Sequence, residues 1–311
     1  MFRKYHNFMN NALSISGGGI RGIIPCCMLI ALEQQTGKNV RDCFSYVAGT
    51  STGSDLCALI QAGVPMTTAL TFYTGEDAKK VFSPQAPELA WPKRVVEGYI
   101  YDPHTLAECL KAALGPNAGW TINDCPTGVL IIACDAGGHS WFFCKDNAKN
   151  SGVTGACSLV DAVVASSAAP TYFNFWPVVV GQQTLQMSDG GAAGFANPVY
   201  RMAIQMFEYD SFEPSTTRII SLGTGYYAPP TAMPAPKGLI ATIEFATSTL
   251  VDSAEDLADQ DVVRVYPTCS FQKFNPALPS SIDETDLSSV PVLLQIGQAA
   301  AAQMDWKEIL G

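Results

Sequence analysis

The segment Phe44-Ser45-Tyr46-Val47-Ala48-Gly49-Thr50-Ser51-Thr52-Gly53 decides the fold of this chain. Residues 44–48 form an apolar run that predicts a buried strand, and residues 54–61 predict a helix that ends before Gly63. Between them, Gly49 to Gly53 form a Gly-x-Ser-x-Gly turn, which places a serine at an exposed strand-to-helix corner. The following helix directs its positive end at Ser51 and favours negative charge there. We expect Ser51 to be a nucleophile; the alternative is a Ser/Thr-rich helix cap.

A second strand-turn-helix unit comes earlier in the chain. Residues 13–16 predict a short strand and residues 23–35 a buried helix, with Ser-Gly-Gly-Gly-Ile-Arg-Gly between them. Two such units in succession predict a parallel sheet covered by helices. Further runs predict strands over 128–134, 140–144, 183–187 and 218–222 and helices over 158–167, 199–207 and 292–310. No composition break divides the chain, so we expect one domain over residues 1–311.

The glycine-rich loop has two interpretations. Its Gly-x-Gly-x-x-Gly spacing matches a dinucleotide-binding fingerprint, but that site needs an acidic residue at the end of the second strand. Asp42 lies before that strand on our interpretation. The backbone N–H groups of Gly17, Gly18 and Gly19 are better suited to an oxyanion hole, because no side chain blocks them. Arg21 either adds positive potential or anchors the loop through an ion pair, and Gly22 supports the same turn.

A serine nucleophile needs a base, and the chain offers three histidines, His6, His104 and His139. None of them follows a strand in the way that a triad histidine does. Asp189 follows the strand over 183–187 and precedes Gly190 and Gly191, so its carboxylate should emerge at the same sheet edge as Ser51. An Asp that accepts the serine proton directly would need partial burial to raise its basicity.

Composition excludes some classes of protein. Eighteen Lys and Arg against 28 Asp and Glu give a net charge of −10, which argues against nucleic acid as a partner. Only 15% of the residues are charged, against roughly 25% in typical proteins, so much of the surface can lie against lipid or a second chain. No apolar run reaches the roughly 18 residues that span a bilayer.

The location and cofactor requirement follow from short-range patterns. The N-terminus lacks the apolar run of a signal peptide, so we expect a cytoplasmic protein that contacts membranes peripherally. The ten cysteines are interpreted as buried thiols in a reducing compartment. The chain has no Cys-x-x-Cys pair, His-rich cluster or Asp-x-Asp-x-Asp-Gly loop, so neither metal nor cofactor is expected.

Three motifs in this order resemble the patatin-like phospholipases: Gly-Gly-Gly-x-Arg-Gly at 17–22, Gly-x-Ser-x-Gly at 49–53, and Asp-Gly-Gly at 189–191. Weaker blocks support the match: Ala165-Ser166-Ser167-Ala168-Ala169-Pro170, Asn197-Pro198, and Ser221-Leu222-Gly223-Thr224-Gly225. The resemblance covers about residues 12–225. Ser16 departs from the aspartate that many members carry before the glycines.

The resemblance implies a three-layer α/β/α sandwich with a mostly parallel central sheet. It implies a Ser51–Asp189 dyad that cleaves fatty-acyl esters of phospholipids through an acyl-enzyme, with the glycine loop as oxyanion hole and no metal. Three alternatives stay open: a Ser-His-Asp esterase that uses His104 or His139, a nucleotide-binding module, and a catalytically silent lipid-binding or regulatory domain. The run Ala299–Ala302 could pack tightly within the fold or against a second copy, and the second arrangement would make a homo-oligomer.

Two segments, 82–101 and 226–237, are rich in proline and are candidate lids or lipid-facing loops. Lys79, Lys80, Lys93 and Arg94 lie near Trp91 and could form a basic patch that contacts an anionic membrane, despite the negative net charge.

Overall fold

A computed structural model describes residues 9–84, 100–149, 153–227 and 257–311. Within these ranges eight strands form one sheet. The strands are β1 (Asn10–Ile15), β2 (Tyr46–Thr50), β3 (Gly128–Asp135), β4 (Ser140–Cys144), β5 (Trp176–Val180), β6 (Gln183–Asp189), β7 (Thr217–Leu222) and β8 (Ser270–Phe274).

The helices are α1 (Ile23–Thr36), α2 (Thr52–Gln61), α3 (Met66–Thr74), α4 (Glu76–Val81), α5 (Pro103–Leu114), α6 (Leu159–Ser167), α7 (Val199–Ile204), α8 (Val290–Ala301) and α9 (Trp306–Leu310). Residues 257–265 are also helical. Across the ranges given above, no helix combines the length and the hydropathy needed to cross a bilayer.

The strand order is β5-β6-β3-β2-β1-β7-β8, with β4 also paired to β3. The five strands β1, β2, β3, β7 and β8 pair in parallel, as the two strand-turn-helix units predict. The strands β4 and β6 run antiparallel to β3, and β5 runs antiparallel to β6. The carboxyl ends of the parallel strands therefore meet at one edge, where ligand sites form in open α/β sheets.

Helices cover both faces of the sheet. Leu13 and Ile15 of β1 are fully buried against one cluster, which contains α1 to α6, α8 and α9. Ala12 and Ala48 point to the opposite face and pack with α7 and the helical residues 257–265. This alternation follows from the two-residue period of a strand buried on both faces. The arrangement confirms the expected three-layer α/β/α sandwich.

The register of β3 brings two distant parts of the chain together. Thr50, the last residue of β2, lies opposite Ile132, and Asp189, the last residue of β6, lies opposite Ala133. Ala133 also pairs with β4 on its other side, as Ile132 does, so β6 lies on the same side of β3 as β2. Asp189 therefore occupies the position just beyond the end of β2, where Ser51 begins the turn into α2.

The structure corrects two predicted element boundaries. The predicted final helix over 292–310 is two helices, α8 and α9, because Asp305 caps a new helix by accepting from the N–H groups of Lys307 and Glu308. The predicted helix over 199–207 remains α-helical only to Ile204 and continues as a π-type turn. Eight of the ten cysteines are buried and all ten are free thiols, in keeping with their interpretation as small apolar residues.

Several residues named from the sequence lie outside the described ranges. They are His6, Trp91, Lys93, Arg94 and most of the two proline-rich segments.

Candidate active site

Ser51 stands at the corner between β2 and α2. Its backbone adopts φ 54° and ψ −130°, a conformation that costs about 1–3 kcal/mol for a residue with a side chain. The glycines on either side are required by space: a Cβ at Gly49 would lie 2.1 Å from the carbonyl oxygen of Gly53. A Cβ at Gly53 would lie 2.1 Å from that of Ile15. The turn therefore tolerates only glycine at these positions, as the motif predicts.

Asp189 lies beside this corner. Its side chain is buried and accepts a hydrogen bond of 2.7 Å from the Gly191 N–H. Burial raises the pKa of the Asp189 carboxyl to about 7, against the lowering effect of the Gly191 N–H and of the nearby Ser51 hydroxyl. A Cβ at Gly190 would lie 2.5 Å from the Ile132 carbonyl oxygen, so glycine is needed for Asp189 to approach β3.

Ser166, near the end of α6, holds the Ser51 backbone in place. The Ser51 N–H donates to the Ser166 hydroxyl at 2.9 Å, and that hydroxyl donates to the Ile132 carbonyl at 2.6 Å. The serine side chain thus lies between β2 and β3 where their direct ladder ends. In the sequence, Ser166 belongs to one of the weaker family blocks, and its one signal is a serine pair at the end of a small-residue helix.

The glycine loop is attached to the surrounding chain through its backbone. The Gly17 N–H donates to the Ala196 carbonyl at 2.9 Å, so it is not free to bind an oxyanion, contrary to our expectation. The N–H groups of Gly18 and Gly19 donate to no group in the described ranges. These two amides are the remaining candidates for an oxyanion hole. Gly22 lies under the turn, where a Cβ would come within 2.3 Å of the Thr52 hydroxyl.

Arg21 anchors this loop to a segment near the C-terminus. Its guanidinium contacts the Glu284 carboxylate at 2.8 Å and the Gly18 carbonyl at 3.3 Å. The Glu284 carbonyl accepts the Ile20 N–H at 2.7 Å. A Cβ at Gly19 would lie 2.2 Å from that carbonyl, which shows how closely the segment lies on the loop. Arg21 can be picked out in the sequence because it belongs to a motif, whereas its partner Glu284 cannot, because nothing near position 284 forms a motif.

Ser51 lines a cleft beside this corner. Most of its walls are apolar or aromatic, and the residues that line it are Gly19, Ser51, Thr52, Asp55, Phe72, Tyr73, Ala78, Val81, Phe82, Leu106, Ser167, Ala169, Tyr172, Phe173, Glu284 and Thr285. Mostly apolar walls with a few polar groups beside a nucleophile are typical of a site that takes an apolar ligand.

The two described histidines are engaged elsewhere. The His104 ring packs against Trp176 with centroids 4.9 Å apart, and the His139 side chain is 78% exposed and pairs with Asp135. Over the ranges that the structure covers, no hydrogen bond joins either histidine to Ser51. No group of three His, Cys, Asp or Glu side chains in those ranges is arranged to hold a metal ion.

A family model described as patatin-like phospholipase matches residues 13–203 of the chain, and this range contains all three motifs. The chain belongs to the patatin-like phospholipase family. Patatin-17 of Solanum cardiophyllum is 29% identical to it over 240 residues, which cover 70% of this chain and 61% of the relative. A cGAMP-activated phospholipase of Vibrio cholerae is 27% identical over 249 residues, covering 71% of this chain and 66% of that protein.

The match to a rice patatin-like protein 2 is 32% identical but covers only 53% of this chain and 44% of the relative. The chain thus spans less than two thirds of the length of these relatives. Among solved structures, human GIVD cytosolic phospholipase A2 aligns with 98% of this chain and 60% of its own, at 11% identity and a TM-score of 0.47. VipD from Legionella pneumophila aligns at 12% identity with a TM-score of 0.46, covering 97% of this chain and 67% of its own.

Proposed function

We propose that this patatin-like chain is a lipid acyl hydrolase of the phospholipase A type, with Ser51 as nucleophile and Asp189 as base. The observation that carries the proposal is the position of the buried Asp189 carboxyl beside Ser51, whose side chain lines a mostly apolar cleft. The family and the phospholipase named among its relatives supply the substrate class. The shared register on β3 supports a dyad, since it holds both side chains at one sheet edge.

In the acylation step, Asp189 accepts the Ser51 proton while Oγ attacks the ester carbonyl carbon. A carboxyl pKa of about 7 suits this transfer better than an ordinary aspartate would, because a general base works best with a pKa near the operating pH. The developing oxyanion is stabilised by the free N–H groups of Gly18 and Gly19 and by the positive end of α2. The leaving alcohol or lysolipid takes the proton from Asp189 as the carbonyl–oxygen bond breaks.

In the deacylation step, a water molecule donates a proton to Asp189, and the oxygen of that water attacks the acyl-enzyme carbonyl carbon. The tetrahedral intermediate collapses, the bond to Ser51 Oγ breaks, and the proton returns from Asp189 to that oxygen. A fatty acid is released and the free serine is restored. The step uses the same oxyanion donors as acylation and needs no group beyond the dyad and water.

Access to substrate requires contact with a lipid surface, which we propose to be peripheral. The basic pair Lys79 and Lys80 offers little attraction to anionic lipid, because these side chains form ion pairs with Glu76 and Asp77 on α4. Together with the net charge of −10, this favours uncharged or zwitterionic lipid surfaces over anionic ones.

The Ser-His-Asp alternative is less well supported, because His104 and His139 are engaged with Trp176 and Asp135. A catalytically silent domain is also less well supported, because binding alone does not require a strained serine beside a buried carboxyl. Both alternatives make distinct predictions in one experiment.

The test is fatty-acid release from mixed phosphatidylcholine vesicles, with products separated by class. Wild type should release fatty acid, and Ser51→Ala and Asp189→Asn should reduce release by at least about a thousandfold, the scale seen when a catalytic group is removed. His104→Ala and His139→Ala are the matched controls and should keep most of the activity. A wild type that cleaves no ester, or a histidine variant as inactive as Ser51→Ala, would refute the dyad hydrolase.

A further inference from the structure

Asp55 is a buried carboxyl in the cleft to which the proposed reaction gives no role. It lies in the first turn of α2, four positions after Ser51, lines the cleft and is 5% exposed. The Gly-x-Ser-x-Gly motif ends at Gly53, so no motif accounts for a charged residue type at this position.

The surroundings of Asp55 leave it with little hydrogen bonding. The Ser167 hydroxyl donates to its Oδ1 at 3.3 Å, and no other hydrogen bond or ion pair reaches the carboxyl from the described residues. The neighbouring Tyr73 hydroxyl is engaged with the Thr52 side chain and carbonyl. An ionised carboxylate left in this position would be unfavourable, because burial without a paired cation disfavours charge.

The carboxyl of Asp55 is therefore a hydrogen-bond donor. Burial raises its pKa well above the usual value, and the nearby Asp189 carboxyl acts in the same direction. A neutral carboxyl carries one O–H donor and keeps a carbonyl acceptor. Most of the other residues that line the cleft have apolar or aromatic side chains, among them Phe72 and Leu106.

Asp55 lies at the same end of the cleft as Ser51. Both residues line this cleft, and the Asp55 N–H donates to the Ser51 carbonyl at 3.3 Å across the first turn of α2. The Asp55 carboxyl is also close enough to the Asp189 carboxyl for that charge to raise its pKa. An acyl group bonded to Ser51 Oγ begins beside these residues, and its β carbon lies two bonds beyond the carbonyl carbon.

We infer that Asp55 is a specificity-determining residue that selects acyl chains with a hydroxyl on the β carbon. Such a hydroxyl accepts the Asp55 O–H and donates to its carbonyl oxygen, so both partners are satisfied inside an apolar wall. An unsubstituted chain brings only a methylene to this position and leaves the desolvated carboxyl with just the Ser167 hydroxyl as a partner among the described residues. The inference rests on the proposed function, since it names the acyl class for the same cleft.

The test compares p-nitrophenyl esters of decanoic acid and β-hydroxydecanoic acid, which have equal chain length and the same leaving group. For wild type, kcat/KM should favour the hydroxy ester by about tenfold, the factor that one net hydrogen bond supports. Asp55→Leu should abolish or reverse this ratio, mainly by improving cleavage of the plain ester relative to the hydroxy ester. Asp55→Asn should keep part of the preference, because its amide still donates.

Glu108→Gln is the matched control, since it removes an exposed carboxyl from α5 and should leave the ratio unchanged. A wild type with no preference for the hydroxy ester, or an Asp55→Leu protein with the wild-type ratio, overturns the inference. If no ester is cleaved, the proposed function fails, and binding decides the inference separately. Ser51→Ala should then bind β-hydroxydecanoate about tenfold more tightly than decanoate by calorimetry, and equal affinities would overturn it.

Discussion

The Ser51 N–H donates to a hydroxyl 115 positions further along the chain, that of Ser166, which in turn donates to the Ile132 carbonyl. This two-bond bridge continues the hydrogen bonding between β2 and β3 past the point where the strands separate. It ties the strained backbone of Ser51 to the middle of the sheet. The position of the nucleophile therefore depends on a side chain from a helix that the serine motif does not include.

Ser166→Ala should lower kcat by about tenfold or more with little change in KM, because the variant loosens the Ser51 backbone without altering the cleft walls. It leaves the Ser51 N–H and the Ile132 carbonyl without this partner, which should cost about 1–3 kcal/mol in the free energy of unfolding. Steady-state kinetics and denaturant unfolding measure the two effects.

Ser14→Ala is the control for loss of a buried hydroxyl, since the Ser14 hydroxyl has no hydrogen-bond partner among the described residues. Its unfolding free energy and kcat should stay close to those of wild type. Equal effects of the two substitutions would show that Ser166 contributes packing rather than positioning.

Hydrolysis should depend on pH through Asp189. The base acts as carboxylate, and burial raises the pKa of this group to about 7, so log kcat/KM of the free enzyme should rise with unit slope below about pH 7 and level above it. A rate profile with a soluble ester between pH 5 and 9 measures this. Flat activity down to about pH 5 would contradict a base in this environment.

The same group should make stability depend on pH. Its pKa is raised from 3.8 to about 7 on folding, so the folded state binds the proton more strongly between these values. The stabilisation is complete below about pH 4 and is lost as the pH rises through about 7. Asp189→Asn carries no such proton, so its free energy of unfolding should rise relative to that of wild type as the pH increases across this window, by about 4 kcal/mol at most. Urea unfolding of the two proteins across this pH range measures the difference, and parallel pH profiles would contradict it.

The ion pair between Arg21 and Glu284 should matter to catalysis through the glycine loop. Arg21→Ala should reduce kcat/KM by about tenfold, because the guanidinium joins the Gly18 carbonyl to the Glu284 segment. Arg21→Lys should recover little, since an ammonium group cannot reproduce the planar contacts of a guanidinium. A double-mutant cycle with Glu284→Gln measures the coupling, and additive effects of the two changes would refute the linkage.

The close approach at Gly53 gives a steric prediction. Gly53→Ala should prevent normal folding or abolish activity, because the new Cβ would meet the Ile15 carbonyl oxygen at 2.1 Å. Gly119→Ala places its Cβ in open space and should be neutral or stabilising by about 0.4–1 kcal/mol. Thermal unfolding and ester hydrolysis report both outcomes, and a fully active Gly53→Ala protein would contradict the packing at this turn.

Much of the fold follows from local patterns in the sequence. The apolar runs around Val47 and Val129 predict buried parallel strands because both faces of such strands are covered. The turn at Gly49 to Gly53 can be predicted because it requires glycine, serine and glycine at fixed spacing. The sequence also predicts the edge position of Asp189, but it does not predict that β6 runs antiparallel to β3. A strand's direction depends on its neighbours, and its own sequence does not encode them.

Other parts of the site leave no trace in sequence. The roles of Ser166 and Glu284 come from contacts across 115 and 263 positions, and each residue is of a common type in an unremarkable local context. Gly17 is not an oxyanion donor because its N–H donates to the Ala196 carbonyl, and the position of Ala196 cannot be predicted from motif spacing. The chain divides into α8 and α9 because Asp305 caps the second helix. The sequence around Asp305 does not by itself show that a new helix begins there.

β2 and β6 both pair with β3, so the distance between Ser51 and Asp189 is set by how these two strands align on β3. A one-residue slip of β6 would move Asp189 by about 3.3 Å and turn it to the opposite face, which removes it from Ser51 altogether. A change in strand register therefore cannot alter the distance between Ser51 and Asp189 in small steps. Insertions or deletions in the β3-β4 and β5-β6 hairpins are therefore compatible with the dyad only where they leave this alignment unchanged.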